Sequence, residues 1–257
     1  MADTILTARY PSLRHCAVLI SGGATGIGEA LVRAFAAQGA KVGFVDLAAS
    51  EGEALAAELA GTGATVAFRR CDITDIAAYR AAIADIETAH GPTLALVNNA
   101  ANDQRHDWRS VEPDYFDARV AVNLKHAFFA IQAVAPGMIA AGRGSIVNFG
   151  SMGWKILSGG YPVYAASKAA AHGLTRSFAR DLGQHGIRVN TLVPGWVMTK
   201  RQLDLWVDDA ANAQIDASQT LAGRLQPEHI AAMALFLAAD DSAMCSGQEF
   251  TVDGGWC

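Results

Sequence analysis

A glycine-rich turn between an apolar run and a helical pattern constrains the fold more than any other stretch of the chain. Residues 16–21 are almost continuously apolar, which is typical of a parallel strand buried on both faces. They run into Ser21-Gly22-Gly23-Ala24-Thr25-Gly26-Ile27-Gly28, after which a helical pattern continues to Gln38. Because glycines lack a side chain, they permit a tight turn whose backbone a ligand can approach closely. The amino terminus of a helix then favours an anion. The pattern therefore predicts a β-α-β unit that holds the diphosphate of a nucleotide.

An acidic residue near the end of the next predicted strand, residues 41–47, indicates which nucleotide is bound. The Asp46 carboxylate can accept hydrogen bonds from both hydroxyls of an adenosine ribose, and it repels a 2′-phosphate. Since no arginine directly follows Asp46 to receive such a phosphate, the sequence favours NAD over NADP. The alternative is a solvated acid at a strand end.

Strand and helix patterns continue to alternate along the rest of the chain. Further strands are predicted over 64–70, 93–100, 144–150, 187–193 and 248–252, and helices over 50–60, 112–141 and 162–184, with another running to about residue 90 and capped by Thr74 or Asp75. This alternation predicts an α/β fold, with residues 1–257 forming a single doubly wound Rossmann-type domain. Its seven-stranded parallel sheet carries helices on both faces.

Residues 195–227 do not follow the alternation of strand and helix patterns. We interpret this irregular stretch as a substrate lid.

Tyr164 and Lys168 are four residues apart on a predicted helix and so lie on the same face. A lysine ammonium close to a phenol favours the phenolate, so we expect the pKa of Tyr164 to be lowered. Such a tyrosine can remove the proton of an alcohol near neutral pH. The alternative is an ordinary helix pair in which the lysine reaches out to solvent.

Composition excludes several classes of protein. The net charge of −5 comes without any basic stripe, so no nucleic-acid partner is expected. The four scattered cysteines lack zinc-site spacing and suggest reduced thiols, and the histidines show no metal-ligand spacing. No membrane-length apolar run or signal pattern is visible, so we expect a cytoplasmic protein without a membrane partner.

Taken together, these motifs resemble the short-chain dehydrogenase/reductase family over essentially the whole chain. The matching positions are Ser21-Gly22-x-x-x-Gly26-Ile27-Gly28, Asp46, Asp72, Asn98-Asn99-Ala100, Asn123, Ser151, Tyr164-x-x-x-Lys168 and Pro194-Gly195. Two departures are Ser21, where the family usually has threonine, and Ala101, where it usually has glycine. The first should keep the hydroxyl, and the second narrows the space beside the nicotinamide ribose.

The resemblance implies a catalytic tetrad of Asn123, Ser151, Tyr164 and Lys168. Tyr164 would be the base, Lys168 would also bind the nicotinamide ribose, and Ser151 would orient the reacting oxygen. Asn123 would bend its helix and hold a water molecule that relays the proton. Asp72 would bind the adenine amino group, or it is simply a turn acid. The expected cofactor residues are Ser21, Gly22, Thr25, Gly26, Ile27, Gly28, Asp46, Leu47, Cys71, Asp72, Ile73, Asn99, Ala100, Ala101, Tyr164, Lys168, Pro194, Gly195, Val197 and Thr199.

A closer resemblance is to the bacterial aldose 1-dehydrogenases, which act on D-xylose, L-arabinose, D-galactose or L-fucose. It is carried by residues 10–13, 102–106, 134–138, 148–151 and 199–202. It implies NAD-dependent oxidation of the anomeric hydroxyl at C1 to an aldonolactone, as a step of carbohydrate catabolism. Family likeness also implies a homotetramer.

Substrate contacts are expected where polar residues follow the fourth strand and where tryptophans lie near the tetrad. The polar residues after that strand are Asn102, Asp103, Gln104 and His106, and the substrate candidates are Asn102, Gln104, His106, Ser151, Trp154, Tyr164, Trp196 and Arg201. Both tryptophans could instead pack under the lid, and His106 could cap a loop. Arg201, beside Lys200, leaves open a polyol, hydroxy acid or 3-oxoacyl substrate. A nucleotide-binding regulator without catalysis is disfavoured by the intact tetrad.

Overall fold

The computed structural model describes residues 7–257 and contains one seven-stranded parallel sheet. Along the chain the strands are β1 (Ala17–Ser21), β2 (Lys41–Asp46), β3 (Val66–Arg70), β4 (Ala95–Asn98), β5 (Gly144–Phe149), β6 (Ile187–Pro194) and β7 (Glu249–Val252). Their spatial order is β3-β2-β1-β4-β5-β6-β7, and every neighbouring pair is parallel. The predicted fold class is confirmed.

Helices cover both faces of the sheet. They are α1 (Gly26–Ala37), α2 (Ala49–Gly61), α3 (Ile76–His90), α4 (Pro113–Val120), α5 (His126–Ala141), α6 (Pro162–Leu182), α7 (Lys200–Leu205), α8 (Asp209–Ser218) and α9 (Pro227–Ala238). One apolar core joins the sheet to α1, α2 and α9, and a second joins it to α3, α5 and the end of α6. Because both faces are buried, the central strands are apolar throughout rather than alternating.

The order of the strands determines where a ligand can bind. The chain moves outward from β1 to β3, then crosses back to place β4 on the other side of β1. Ser21 and Asn98 are register partners at the carboxyl ends of β1 and β4. Such a reversal opens a crevice at the carboxyl edge of a parallel sheet, and the glycine-rich turn lies at its mouth.

The predicted helix over 112–141 is one continuous helical segment with a π turn at Ala121–Lys125. Its length and an 18-residue stretch of mean hydropathy 1.3 would suffice to cross a membrane. However, Ile131, Val134 and Met138 are fully buried in the core beneath the sheet. Core packing therefore accounts for part of this apolar character, and Phe128 and Ile139 of the same helix are exposed.

The segment predicted to be irregular contains two short helices, so that part of the prediction is wrong. Thr199 caps α7 by accepting a hydrogen bond from the Gln202 amide, and Asp208 caps α8 through the Ala211 amide. Such side-chain caps allow short helices to begin without a long periodic pattern. Helix α9 was not anticipated. The cap of α3 is Asp75 rather than Thr74.

Candidate active site

The glycine-rich turn is tied to the end of β4 by the amide of Asn99. Its Nδ2 donates to the carbonyl oxygens of Ser21 at 3.0 Å and Gly22 at 2.9 Å. Gly22 has a φ of 69°, and a Cβ on Gly28 would lie 1.7 Å from the Gly22 carbonyl oxygen. Side chains are therefore excluded from both positions. The bare backbone and the first N–H groups of α1 form a cradle suited to a diphosphate.

A groove of about 1140 Å³ extends from this turn along the carboxyl edge of the sheet, and we call it the cofactor groove. It is lined by most of the predicted cofactor residues, namely Gly22, Thr25, Gly26, Ile27, Gly28, Asp46, Leu47, Cys71, Asp72, Ile73, Asn99, Ala100, Ala101, Tyr164 and Thr199. Ser21 lies beneath it, fully buried, and its Oγ accepts from the Ala100 amide at 3.2 Å. The volume and the glycine cradle fit a dinucleotide.

Two acids lie along this groove. The Asp46 carboxylate accepts hydrogen bonds from the amides of Ala24 at 2.9 Å and Ala48 at 3.0 Å, which fix its orientation beside the glycine turn. Each of its oxygens keeps capacity for a ribose hydroxyl. Asp72 accepts from the amide and hydroxyl of Thr74 at 2.9 and 2.7 Å, so it does form a turn. Its contact with adenine stays a prediction.

A second cavity of about 380 Å³ adjoins the groove, and we call it the substrate cavity. Ser151 from the end of β5, Tyr164 and Lys168 from α6, and Trp196 after β6 all line it. The remaining predicted cofactor residues Pro194, Gly195 and Val197 lie here as well. Tyr164 lines both spaces. A group bound in one space can therefore meet a group bound in the other at this phenol.

The expected lowering of the Tyr164 pKa is not found. Burial raises the pKa of this phenol above its usual value, and a hydrogen bond with Ser151 and the positive charge of Arg105 oppose that rise only in part. Removal from water disfavours the charged phenolate, and this effect outweighs the neighbouring charges. Sequence spacing cannot reveal such a cost because it depends on burial in the folded chain.

Lys168 is buried, and its Nζ donates to the Phe149 carbonyl oxygen at 2.9 Å. The ammonium lies 5.9 Å from the centroid of the Tyr164 ring. Burial lowers the pKa of Lys168 to about 8. This lysine is therefore anchored to the last residue of β5, two positions before Ser151, and can exchange a proton in the neutral to alkaline range.

Asn123 is the buried centre of the π turn between α4 and α5. Its Oδ1 accepts from the Asn102 amide at 2.8 Å, and its Nδ2 donates to the carbonyls of Asn102 at 3.1 Å and Arg119 at 2.9 Å. The helix is therefore irregular at this residue, and the asparagine joins it to the segment after β4. Its role in proton relay stays a prediction.

The predicted substrate residues do not all meet in one place. Ser151, Tyr164 and Trp196 line the substrate cavity, whereas Asn102 and Arg201 line the cofactor groove. Gln104, His106 and Trp154 line neither space. The His106 Nδ1 lies 3.1 Å from the Tyr115 hydroxyl, and Trp154 packs edge-on against His172. These contacts account for both rings without a substrate.

Asp103, one of the polar residues expected near the substrate, lines the substrate cavity, and so do four residues that were not predicted: Arg105, Tyr161, Gln202 and Gln214. Gln202 Nε2 donates to Asp103 at 2.7 Å, and Gln202 Oε1 accepts from the Trp196 indole at 3.1 Å. This chain of bonds joins α7 to the segment after β4. Asp103 and Arg105 line the cavity while Gln104 and His106 do not, and that alternation is typical of extended backbone. That alternation is a sequence signal that could have found Arg105, whereas it gives no indication of Tyr161, Gln202 or Gln214.

Among residues 7–257, no group of three or more histidine, cysteine, aspartate or glutamate side chains is arranged to hold a metal ion.

Comparison with known proteins identifies the family. A family model described as "Enoyl-(Acyl carrier protein) reductase" matches residues 22–257. A D-xylose 1-dehydrogenase from Caulobacter vibrioides is 46% identical over 97% of this chain and 99% of its own length. The chain belongs to the short-chain dehydrogenase/reductase family. The resemblance proposed from the sequence is confirmed. A second relative in the family, a "Probable galactose dehydrogenase GalD" from Rhizobium meliloti, is 42% identical over 98% of this chain and 99% of its own length.

Solved structures of short-chain dehydrogenases match the fold closely. A 3-oxoacyl-[acyl-carrier protein] reductase with bound NAD from Brucella melitensis has a TM-score of 0.88, with 34% identity over 99% of this chain and 97% of its own. A gluconate 5-dehydrogenase from Burkholderia cenocepacia, in complex with NADP and tartrate, also has a TM-score of 0.88, with 33% identity over 96% and 97% of the two chains. The protein is thus an oxidoreductase that acts on a CH–OH group with a nicotinamide cofactor.

Proposed function

We propose that the protein oxidises an aldose at its anomeric C1 hydroxyl to the aldonolactone, with NAD⁺ as the oxidant. The observation that carries this proposal is the position of Tyr164, which lines both the cofactor groove and the substrate cavity. The sugar dehydrogenases among the relatives support an aldose as the substrate.

Each residue of the tetrad would have its own role in the reaction. Tyr164 removes the proton of the C1 hydroxyl, and Ser151 orients the oxygen of that hydroxyl. When bound, the cofactor supplies the acceptor for the hydride that leaves C1, together with a positively charged ring. Lys168, with a pKa near 8, passes the proton toward solvent by way of the Asn123 turn. Because the phenol must first lose its proton, oxidation is expected to slow as the pH falls.

Cofactor preference is a separate part of the proposal. The Asp46 carboxylate, fixed by two backbone amides, lies where it would bind ribose hydroxyls and repel a 2′-phosphate. NAD is therefore the proposed cofactor, and Asp46 is the residue that selects it. The lid role of residues 195–227 is supported by Trp196 and Gln202, which line the substrate cavity.

The alternative of a polyol, hydroxy acid or 3-oxoacyl substrate was motivated by Arg201. In the fold, Arg201 Nε donates to Asp103 at 3.1 Å and the pair forms a salt bridge. Since its charge is already balanced, Arg201 gives no support to a carboxylate or acyl substrate. The proposed function therefore does not rest on it.

A panel of substrates tests the proposal. Pentoses, galactose, fucose, polyols, hydroxy acids and acyl thioesters are each offered with NAD⁺ and with NADP⁺, and reduced cofactor is followed by absorbance. We expect the highest kcat/KM with an aldose and NAD⁺, and a lactone as the first product by NMR. Oxidation of acyclic alcohols alone would overturn the proposal.

A homotetramer is proposed from family likeness. It is supported by exposed aromatic side chains on α4 and α5, Phe116 and Phe128, and by Phe178 of α6, whose ring centroid is 5.4 Å from that of Phe128. Exposed apolar patches of this kind commonly mark interfaces. Light scattering at micromolar concentration should give the mass of four chains, and the mass of one chain would contradict this part of the proposal.

A further inference from the structure

Arg105 lies in the substrate cavity, where it contacts two aromatic rings from different parts of the fold. Its guanidinium carbon lies 3.9 Å from the centroid of the Tyr161 ring and 5.2 Å from that of Trp206. Tyr161 immediately precedes α6, and Trp206 ends α7. Arginine stacks well on aromatic faces, and such contacts hold the plane of the guanidinium in place.

The charge of Arg105 is not balanced by the protein. Asp103 is the carboxylate of this cavity, and its two oxygens accept from Arg201 Nε at 3.1 Å and Gln202 Nε2 at 2.7 Å. Within residues 7–257, the Arg105 guanidinium has no hydrogen-bond or ion-pair partner, although an arginine carries five N–H donors. It therefore offers donors to whatever occupies the cavity.

Arg105 and the reacting phenol both pack against the ring of Tyr161. Tyr161 contacts Arg105 through its face and lies 5.3 Å from Tyr164, centroid to centroid, in an edge-on arrangement. A pyranose ring is about as wide as a phenol ring. Since Arg105 and Tyr164 line the same cavity, a sugar with its C1 hydroxyl at Tyr164 can bring its opposite end to Arg105.

We propose that Arg105 determines substrate specificity by donating two N–H groups to a pair of oxygen acceptors at the end of the substrate remote from the reacting carbon. This inference rests on the proposed function, so the acceptors are either the neighbouring hydroxyls of a neutral aldose or the carboxylate of a uronic acid. The planar fork of a guanidinium matches either pair, and a lysine ammonium does not.

The test compares Arg105→Met, Arg105→Lys and Arg109→Met in steady-state kinetics. Methionine keeps the apolar stem of Arg105 without its donors, and Arg109 is an exposed arginine on the same segment that serves as a control. We expect KM for the best substrate to rise roughly 10- to 100-fold in Arg105→Met, since the contact exists in both ground and transition states. The fall in kcat should be smaller and should come from loss of the positive charge that opposes the rise in the Tyr164 pKa. Arg105→Lys should recover little of the loss. Cofactor affinity should stay unchanged because Arg105 does not line the cofactor groove.

Substrate analogues identify the acceptor. Wild type should lose kcat/KM with an aldose that lacks one distal hydroxyl, and Arg105→Met should no longer distinguish that analogue from its parent. If the acceptor is a carboxylate, uronates should lose far more than neutral aldoses on the same substitution. Unchanged KM for every substrate in Arg105→Met, or undiminished discrimination between parent and deoxy sugars, would overturn the inference.

Failure of the proposed function would be distinguishable from failure of this inference. A wild-type enzyme that oxidises no aldose or uronate refutes the proposed function. The Arg105 variants are then assayed on the CH–OH substrate that it does oxidise, where the same rise in KM supports the inference and an unchanged KM refutes it. An active aldose dehydrogenase that is indifferent to Arg105→Met refutes the inference alone.

Discussion

The cofactor groove begins at the glycine-rich turn, which is formed by main chain and glycine within one contiguous β-α-β unit. The substrate cavity, in contrast, is lined by side chains from segments that are far apart in the sequence. In the groove, the absence of Cβ atoms at Gly22 and Gly28 makes room for a ligand. Three separate connections of the fold supply side chains to the cavity, among them those of Asp103, Arg105, Tyr161 and Gln202. A binding site formed by main chain and glycine offers few side chains that can be exchanged. A site lined by side chains can change its specificity one residue at a time. This difference explains how one family can keep a cofactor site while varying its substrates.

The largest effect is expected at Tyr164, where the two spaces meet. Tyr164→Phe should reduce kcat/KM for aldose oxidation by about 10³-fold, because it removes the general base. Cofactor affinity, measured by NADH fluorescence, should change by less than about twofold, since the aromatic ring remains. Tyr115→Phe, at a tyrosine that lines neither space, is the matched control and should keep most activity. Retained oxidation in Tyr164→Phe would mean that another group removes the proton.

A pH experiment tests the burial of Lys168 at the same junction. Its folded pKa of about 8 lies below the ordinary value of about 10.4, so between these values the unfolded chain holds more protons. Stability from this group should therefore rise with pH across that window, by roughly 3 kcal/mol in all.

Urea unfolding of wild type and Lys168→Met at several pH values isolates this contribution. The buried thiols of Cys16 and Cys71, whose pKa values are raised by burial, act in the opposite direction but are common to both proteins. The difference in unfolding free energy between wild type and variant should grow in favour of wild type as the pH rises. A difference independent of pH would show that Lys168 is solvated.

Gly28→Ala tests the backbone character of the groove. Its methyl group would overlap the Gly22 carbonyl oxygen, so the turn must open. We expect cofactor affinity to weaken roughly 10- to 100-fold. The control variant Gly61→Ala adds a methyl group where there is free space, so it should bind the cofactor with unchanged affinity. Equal affinities in isothermal titration would contradict the proposed diphosphate cradle.

Asp46→Ala should change cofactor choice without touching the substrate cavity. Loss of the carboxylate removes repulsion of a 2′-phosphate, so the NAD over NADP ratio of kcat/KM should fall about tenfold. Asp72→Ala, in the same groove, should leave the ratio near its original value. An unchanged ratio in Asp46→Ala would assign the preference to another residue.

The smallest effect is expected at Gln202, which joins α7 to the substrate cavity through Asp103 and Trp196. Gln202→Leu keeps the size of the side chain but loses both neutral hydrogen bonds. We expect KM for the aldose to rise roughly two- to tenfold. Because Gln202 also lines the cofactor groove, cofactor affinity is measured as well and should weaken by no more than KM for the aldose rises. The exposed Leu203→Ala variant on the same helix, at a residue that lines neither space, should behave as wild type. A change confined to cofactor affinity would assign Gln202 to the cofactor groove alone.

The same contrast explains how much the sequence could predict. The strand order and the glycine turn follow from contiguous patterns, and most of the predicted cofactor residues do line the groove. In the substrate cavity, Gln104 and His106 were predicted from their chemistry, but the extended backbone presents Asp103, which was also expected there, and Arg105, which was not. Tyr161 and Gln202 are brought in by tertiary packing, which leaves no local pattern. The direction of the Tyr164 pKa depends on burial, which spacing does not encode.

A crystal structure of the protein with NAD and a slowly oxidised aldose is the most direct measurement. The account predicts the C1 hydroxyl within hydrogen-bonding distance of both the Tyr164 and Ser151 hydroxyls, with its C1 hydrogen facing the nicotinamide and the far end of the sugar at Arg105. A sugar bound with C1 directed away from the Tyr164 phenol would contradict it.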